Sequence, residues 1–166
     1  YYLFHIDFSF DEQRLGGSAF AQTRGKVGDD VPMVKNPEYF RNAFNALQDM
    51  IKQGLVMAGH DISAGGMITT LLEMTFANQN GGLDIDLSAF SGDDIVKTLF
   101  AENPGVVIQI ADSDIEAVEN LLDEMGISYA PIGKPADARC IMVKKDHFCH
   151  CFDIDEMRDA WYETSH

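Results

Sequence analysis

The residues best suited to chemistry form one short polar segment, His60 to Gly66. Asp61 could bind Mg²⁺, and the bound Mg²⁺ could in turn bind a phosphate. Without the metal, the carboxylate would repel the negatively charged phosphate. Ser63 could cap a following helix, whose first N–H groups attract anions. Gly65 and Gly66 would let the backbone approach a ligand closely. The pattern favours a nucleotide or phosphate-ester site, although a capped helix after a glycine-rich turn explains the same spacing.

A second segment, Arg14 to Ser18, offers backbone N–H groups to an anion in a similar way. Gly16 and Gly17 precede Ser18 and a short helix-like run, and Arg14 adds a positive charge nearby. A turn that leads into a capped short helix is the alternative. We therefore treat Arg14, Gly16, Gly17 and Ser18 as accessory candidates, together with His60, which either acts chemically or only orients its turn.

Two further clusters have weaker claims to chemistry. Alternate residues of a strand share a face, so His147, Cys149 and Cys151 could meet a soft metal. Zinc sites usually combine two separated ligand pairs and no second pair is present, so an edge strand with ordinary packing is favoured. Asp84 and Asp86 also share a strand face, and a solvated face is favoured over a metal pair.

Hydrophobic periodicity predicts the elements that must position these residues. The predicted strands are 2–8, 83–87, 106–110, 127–132, 140–143 and 147–152, and the predicted helices are 37–53, 67–78, 91–100, 112–125 and 155–162. Residues 55–58 are expected to be a buried strand end before the His60 segment. Strand 106–110 is expected to be central, and strands 127–132 and 140–143 are expected to be the two arms of a sheet edge.

The helix after Asn36 and Pro37 has a pronounced apolar stripe. Asn36 suits the N-cap and Pro37 the first helical position. The stripe recurs at helical spacing, and we expect it to face the core. Its members are Phe40, Phe44, Leu47 and Ile51, with Tyr39, Ala43 and Met50 at its edges.

The composition is that of an ordinary globular domain, with 46% hydrophobic and 23% charged residues. At 166 residues, one domain spanning 1–166 with its own core is expected. The formal net charge of −15 argues against nucleic acid or an anionic membrane as a partner. Strands and helices are mixed along the chain, so we expect an α/β fold in the form of an α+β sandwich, with a mixed β-sheet and flanking helices.

The sequence has no targeting or membrane signal. No run of about 18 apolar residues occurs, and the N-terminus has neither a basic region nor a cleavage pattern. The chain starts at Tyr1 inside a predicted strand, so we expect a fragment of a longer protein. An odd number of cysteines, Cys140, Cys149 and Cys151, favours a reducing cytoplasm over a disulfide framework.

Several segments in this order resemble a known enzyme family. They are Ile6–Ser9, Arg14–Gln22, His60–Gly66, Glu73–Asn78, Gly82–Ile85, Glu102–Val107 and Trp161–Ser165. Together they resemble the large form of phosphoribosylformylglycinamidine synthase, over essentially the whole chain. The matching part is the second of its two domains of the aminoimidazole-ribonucleotide (AIR) synthetase C-terminal type, and the resemblance implies that fold.

The resemblance implies a cytoplasmic, ATP-dependent ligase of the glutamine amidotransferase type in purine biosynthesis. The family converts formylglycinamide ribonucleotide to formylglycinamidine ribonucleotide. Phosphoryl transfer from ATP activates the amide oxygen, and ammonia from a glutaminase domain displaces the phosphate. The family motif implies a Mg²⁺ ligand at Asp61 and nucleotide contacts, to ATP or ADP, at Ser63, Gly65 and Gly66. In the family this half-site holds a largely structural nucleotide and turnover occurs at the other half-site, so no catalytic residue is assigned here.

The chain also departs from the family. Many relatives have Asp where this chain has Ala64, so a second carboxylate is missing. The AIR synthase N-terminal-type partner domain and the glutaminase domain are absent, so we expect this chain to fold without catalysing. A non-catalytic domain that packs against neighbouring domains is the alternative. A kinase-like relative, such as a thiamine-phosphate kinase or selenophosphate synthetase, ranks lower because those proteins lack the Arg14–Ser18 and Trp161–Ser165 segments.

Overall fold

The computed structural model of the protein describes residues 1–164, so Ser165 of the C-terminal family segment lies outside the described residues. A seven-stranded sheet runs in the order β2-β4-β1-β5-β3-β6-β7. The strands are β1 Tyr2–Asp7, β2 Ala58–Asp61, β3 Gly82–Asp86, β4 Gly105–Ile110, β5 Tyr129–Ala136, β6 Cys140–Lys145 and β7 Phe148–Asp153. Only the β3–β6 pair of this sheet is parallel, so the sheet is mixed, as predicted.

Six α-helices flank this sheet in the described part of the chain. They are α1 Ala19–Thr23, α2 Pro37–Lys52, α3 Gly66–Phe76, α4 Ile95–Phe100, α5 Ile115–Glu124 and α6 Ile154–Thr164. Asn36 caps α2 as predicted, because its Oδ1 accepts the backbone N–H groups of Glu38 and Tyr39 at 3.1 Å each. No helix within residues 1–164 is long and apolar enough to cross a membrane.

Both faces of the sheet are covered by buried apolar clusters. The cluster shared with α3, α4 and α6 includes Leu3, Ile85, Ile132, Leu71, Leu99 and Ile154. The cluster shared with α2 and α5 includes Phe4, Ile6, Ile108, Met50, Val118 and Leu122. Apolar side chains on both faces also confirm that β4 is an inner strand, between β2 and β1. The predicted sandwich of a mixed sheet and flanking helices is therefore confirmed.

The orientation predicted for α2 is correct for Phe40 and Leu47, which pack against the core, and wrong for Phe44 and Ile51. Phe44 and Ile51 are 47% and 48% exposed, while Ala43 and Met50 have no exposed surface. The core contains the stripe of Tyr39, Ala43, Ala46 and Met50, whose small alanines let the helix approach the sheet closely. The helix is therefore rotated by about one residue from the orientation that its largest side chains favour.

Two other local predictions are corrected. Residues 55–58 are not a buried strand end, because β2 starts at Ala58 and is an exposed strand at the edge of the sheet, paired to β4 alone. The helix predicted from Ser91 starts at Ile95, since Gly92 has φ +90° and Asp94 caps α4. Each correction depends on tertiary packing or helix capping, and hydrophobic periodicity within a short stretch of sequence does not report either.

Strands β5 and β6 are not the two arms of a sheet edge. β3 lies between them, antiparallel to β5 and parallel to β6. The connection from β5 to β6 crosses the start of β3, where a Cβ on Gly82 would lie 2.0 Å from the carbonyl oxygen of Cys140 and 2.5 Å from that of Ala138. Glycine at this position makes the crossing possible.

Candidate functional site

The His60–Gly66 segment occupies the junction between the edge strand β2 and helix α3. Asp61 is the last residue of β2, and 74% of its side chain is exposed. Ser63 is also exposed, and its hydroxyl has no hydrogen-bond partner among residues 1–164. The predicted capping role of Ser63 is wrong, because the N-cap of α3 is Gly65, with φ +90°. Asp61 and Ser63 are therefore both presented to solvent.

The ring of His60 is held between β2 and α3. Its Nδ1 lies 2.7 Å from the backbone carbonyl oxygen of Asp61, and its Nε2 lies 3.2 Å from Oε2 of Glu73. The hydroxyl of Thr70 donates to the same carbonyl oxygen at 3.0 Å. These contacts support an orienting role for His60, because they hold the backbone of Asp61 against the first half of α3.

The two glycines of the segment are required by packing inside the chain. A Cβ on Gly66 would lie 2.7 Å from the carbonyl oxygen of Leu99 and from the Cα of Phe100, at the end of α4. A Cβ on Gly65 would lie 2.2 Å from Oγ1 of Thr69. Gly66 is buried, so its backbone closely approaches the end of α4. The predicted nucleotide contacts of both glycines stay predictions, but their conformation has a structural cause.

Glu102 joins the two candidate segments. Its Oε1 accepts the backbone N–H of Gly65 and the backbone N–H of Ala19, each at 2.8 Å. Ala19 directly follows the Arg14–Ser18 segment and is the first residue of α1. The structure thus brings together the segments that the sequence singled out. The bridging carboxylate itself, which precedes β4 in the chain, was missed.

Within the Arg14–Ser18 segment, the candidate side chains are engaged in internal contacts. The guanidinium of Arg14 forms ion pairs with Asp11, at 3.1 Å, and with Asp30. Ser18 is buried and caps α1, with its hydroxyl accepting the N–H of Ala21 at 3.2 Å. These contacts favour a structural role for this segment, and its accessory binding role stays a prediction.

Glycines again permit a close backbone approach in this segment. A Cβ on Gly16 would lie 2.5 Å from the backbone carbon and oxygen of Asp30, and Gly17 has φ +73°. The N–H groups of Gly16 and Gly17 donate to the carbonyl oxygens of Asp30 and Val27 at 2.8 and 2.7 Å. Both amides therefore donate hydrogen bonds to the loop that follows α1.

Asn103 is a second residue that the sequence interpretation missed. Its side-chain Nδ2 donates to Oγ of Ser9 at 3.2 Å and to the carbonyl oxygen of Glu12 at 2.9 Å, and its Oδ1 accepts the N–H of Arg14 at 3.2 Å. Asn103 thus fixes the segment that follows β1. The available signal was a polar Glu102–Asn103 pair directly before a buried strand, within one of the family segments.

A large cavity lies beside the exposed motif rather than at it. It has a volume of about 940 Å³ and is lined by Arg14 among the candidate residues, but by none of the residues from Asp61 to Gly66 except Ile62. His5 also lines it, and burial lowers the pKa of this imidazole to about 4, with the negative charge of Asp7 opposing that shift. The surface at Asp61 and Ser63 is open by comparison.

Asp11, at the edge of this cavity, is held in its ionised form. Burial raises its pKa, but hydrogen bonds from Lys35, from the backbone N–H groups of Glu12 and Met33 and from Arg14 lower it by more. Lys35 lies 3.2 Å from the carboxylate. The carboxylate of Asp11 therefore offsets the positive charges of Arg14 and Lys35 in the cavity wall.

A metal would find only part of its ligand set in this chain. Among the described residues, no group of three or more His, Cys, Asp or Glu side chains is arranged to hold a metal ion. Mg²⁺ often keeps several waters and takes one or two carboxylates together with phosphate oxygens. The exposed carboxylate of Asp61 fits that kind of partial set, whereas the carboxylate of Glu102 is occupied by backbone N–H groups.

The cysteine-bearing strand is an ordinary edge strand, as favoured from the sequence. β7 pairs only with β6, and Cys140, Cys149 and Cys151 are free thiols. Interaction with the neighbouring Cys151 thiol, together with burial, raises the pKa of the Cys140 thiol to about 11. Likewise Asp84 of the predicted solvated face pairs with Lys144 at 3.0 Å.

A protein-family model matches most of the chain. The model for "AIR synthase related protein, C-terminal domain" matches residues 9–142. Among solved structures, Thermotoga maritima PurL complexed with FGAR is similar with a TM-score of 0.72 and 13% sequence identity, over 95% of this chain and 27% of that one. At that identity the likeness establishes the fold.

Two curated relatives are similar over almost the whole chain. A probable phosphoribosylformylglycinamidine synthase of Arabidopsis thaliana, named as chloroplastic/mitochondrial, is 39% identical over 164 residues, which are 98% of this chain. Phosphoribosylformylglycinamidine synthase of Homo sapiens is 33% identical over 168 aligned residues, or 99% of this chain. In each case the chain spans 12% of the relative's length.

Proposed function

The chain belongs to the family of AIR synthase related proteins, C-terminal domain, and we propose that it acts as one domain of a phosphoribosylformylglycinamidine synthase. The observation that carries this proposal is the 39% identity to the Arabidopsis thaliana relative over 98% of the chain. Because the chain spans only 12% of that relative, the proposed activity belongs to a larger polypeptide.

The proposed reaction is the conversion of formylglycinamide ribonucleotide to formylglycinamidine ribonucleotide, driven by ATP and using glutamine as the source of ammonia. In this reaction the domain binds a nucleotide through Mg²⁺. The exposed carboxylate of Asp61 would hold the ion, and the free hydroxyl of Ser63 would donate to a phosphate oxygen. When bound, Mg²⁺ supplies charge neutralisation for the phosphates.

The rest of the proposed site comes from other domains. Asp61 is the exposed carboxylate of the candidate segment, and it does not line the nearby large cavity. An AIR synthase N-terminal-type domain would supply the opposite wall and further metal ligands, and a glutaminase domain would supply ammonia. The isolated chain is therefore expected to be inactive.

The net charge indicates which classes of partner are unfavourable, and the free thiols indicate the type of compartment. A net charge of −15 disfavours nucleic acid and anionic membranes as partners. Three free cysteines suit a reducing compartment, which supports the expected cytoplasmic location. The Arabidopsis thaliana relative is named as chloroplastic/mitochondrial, so the compartment differs among such proteins.

A non-catalytic interaction domain is the second candidate function. Phe44 and Ile51 form an apolar stripe on α2 that is about half exposed, as expected for a surface that packs against a neighbouring domain. Under this alternative, the polar segment before α3 only shapes the β2–α3 junction. Nucleotide binding by the full-length protein distinguishes the two functions.

The proposed function is tested by an activity assay of the full-length protein. With formylglycinamide ribonucleotide, Mg²⁺, ATP and glutamine, it should form ADP and the amidine product, and omission of the ribonucleotide should abolish ADP formation. The isolated 166-residue chain, given ammonia in place of glutamine, should form no product. Failure of the full-length protein to use the ribonucleotide contradicts the proposed reaction, and turnover by the isolated chain contradicts the composite site.

A further inference from the structure

One carboxylate oxygen connects three separate parts of the chain. Oε1 of Glu102 accepts N–H groups from Gly65 and Ala19, which lie 37 and 83 residues before it. The rings of Phe20 and Phe100 pack against each other with centroids 4.8 Å apart, so α1 and the end of α4 also meet through apolar contact. Glu102 therefore supplies the polar half of a junction between α1, the β2–α3 turn and the start of β4.

The carboxylate also occupies a position suited to an anion. Backbone N–H groups at glycine-rich turns bind phosphate in many nucleotide sites. Here the N–H of Gly65 already donates to a charged acceptor at 2.8 Å, and hydrogen bonds to charged groups are about twice as strong as neutral ones. A phosphate would have to displace this carboxylate, against its negative charge, to reach the same amide.

We propose that Glu102 is the positioning residue of the nucleotide surface, holding the Gly65 and Ala19 amides so that Asp61 and Ser63 meet a Mg²⁺-bound nucleoside diphosphate or triphosphate. This inference rests on the proposed function. Under this proposal the Gly65 amide has a structural role, because it donates to Glu102. The phosphate is contacted instead by the Ser63 hydroxyl and by the metal at Asp61.

Four variants of the full-length protein test the proposal. Glu102→Ala removes the acceptor, Glu102→Gln keeps an acceptor oxygen at the same reach without the charge, and Glu102→Asp keeps the charge but shortens the reach by one methylene. Glu12→Ala is the matched control, because the side chain of Glu12 is 91% exposed and lies 4.0 Å from Arg14 of the same loop.

Two readouts are needed, calorimetric affinity for Mg²⁺-ADP and hydrogen exchange of peptides that contain Ala19 or Gly65. Glu102→Ala and Glu102→Asp should each weaken binding about tenfold or more and speed exchange in both peptides, because Ala removes the acceptor and Asp is too short to reach both amides. Glu102→Gln should stay within about threefold of the wild type, because its amide oxygen still accepts both N–H groups. Glu12→Ala should change neither.

The outcomes separate the proposal from its premise. Unchanged exchange in both peptides of Glu102→Ala, or wild-type affinity in Glu102→Asp, overturns the positioning role. If Glu102→Ala does not fold, the contrast between the Gln and Asp variants decides, and equal losses in both overturn the proposal. If the wild type binds no nucleotide, the proposed function fails and the nucleotide part of the inference fails with it, while exchange in the variants still decides whether Glu102 holds the two amides.

Discussion

Nε2 of His60 lies 3.2 Å from Oε2 of Glu73, across the junction between β2 and α3. The other ring nitrogen faces the carbonyl oxygen of Asp61 at 2.7 Å, so oxygen acceptors flank the ring on both sides. The ring therefore links the backbone of Asp61, the predicted Mg²⁺ ligand, to α3.

Glu73→Gln should lower the free energy of unfolding by less than about 1 kcal/mol, because the His60–Glu73 pair is partly exposed and such pairs contribute little. The loss should shrink at about 1 M salt, where charges are screened within about 3 Å. Urea unfolding at low and high salt measures both effects. Glu38→Gln, which removes an exposed partner of Arg41, is the control. A loss above about 2 kcal/mol that persists in high salt would contradict the partly exposed geometry.

Gly66→Ala should destabilise the fold much more than Gly54→Ala. Both glycines have left-handed backbones, with φ +73° and +74°, so both substitutions carry the cost of about 1–2 kcal/mol for that conformation. Only at Gly66 would the new Cβ lie 2.7 Å from backbone atoms of Leu99 and Phe100, whereas nothing lies within 4 Å at Gly54. Thermal and urea unfolding of the two variants give the comparison. Equal losses would show that α3 does not pack against the end of α4 as described.

The rotation of α2 is tested by two neighbouring residues. Met50→Ala should cost about 2–5 kcal/mol, the usual range for a buried large-to-small change, because Met50 has no exposed surface. Ile51→Ala should cost less than about 1 kcal/mol, because Ile51 is 48% exposed in this chain. Urea unfolding of the isolated chain distinguishes the two. The reverse order would restore the orientation that the sequence pattern favours.

The rotation of α2 also shows where sequence periodicity stops being informative. The helix carries two adjacent apolar stripes, and hydrophobicity alone favours the one with larger side chains, Phe44 and Ile51. The structure buries the stripe that contains Ala43 and Ala46, because small residues allow close packing on the sheet. The limits of α2, capping by Asn36 and the inner position of β4 were predictable, since each depends on local sequence.

The candidate site likewise has features that local sequence predicts and contacts that only the fold creates. Spacing located the His60–Gly66 segment at a strand-to-helix junction, because glycines and capping residues signal such junctions locally. The contact of Glu102 with Gly65 and Ala19 joins residues 37 and 83 positions apart, and only the folded sheet brings them together. The same is true of Asn103, whose amide contacts a segment about 90 residues earlier.

His5 should make stability depend on pH. Burial lowers its pKa from 6.5 to about 4, with Asp7 opposing the shift, so the unfolded chain binds more protons than the folded one between these values. Its contribution is complete above pH 6.5 and is lost as the pH falls towards 4, by up to about 3 kcal/mol. Urea unfolding from pH 7 to 4.5 should give a steeper decline for the wild type than for His5→Gln. Equal slopes would contradict the lowered pKa of the His5 imidazole.

The central claim is that Asp61 holds the metal of a bound Mg²⁺-nucleotide, and calorimetry of Mg²⁺-ADP with the full-length protein tests it most directly. Asp61→Asn should weaken binding at least about tenfold and remove most of its dependence on Mg²⁺. Asp84→Asn, at a carboxylate paired with Lys144 on a different strand, should bind like the wild type. Undiminished, Mg²⁺-dependent binding by Asp61→Asn would contradict the claim.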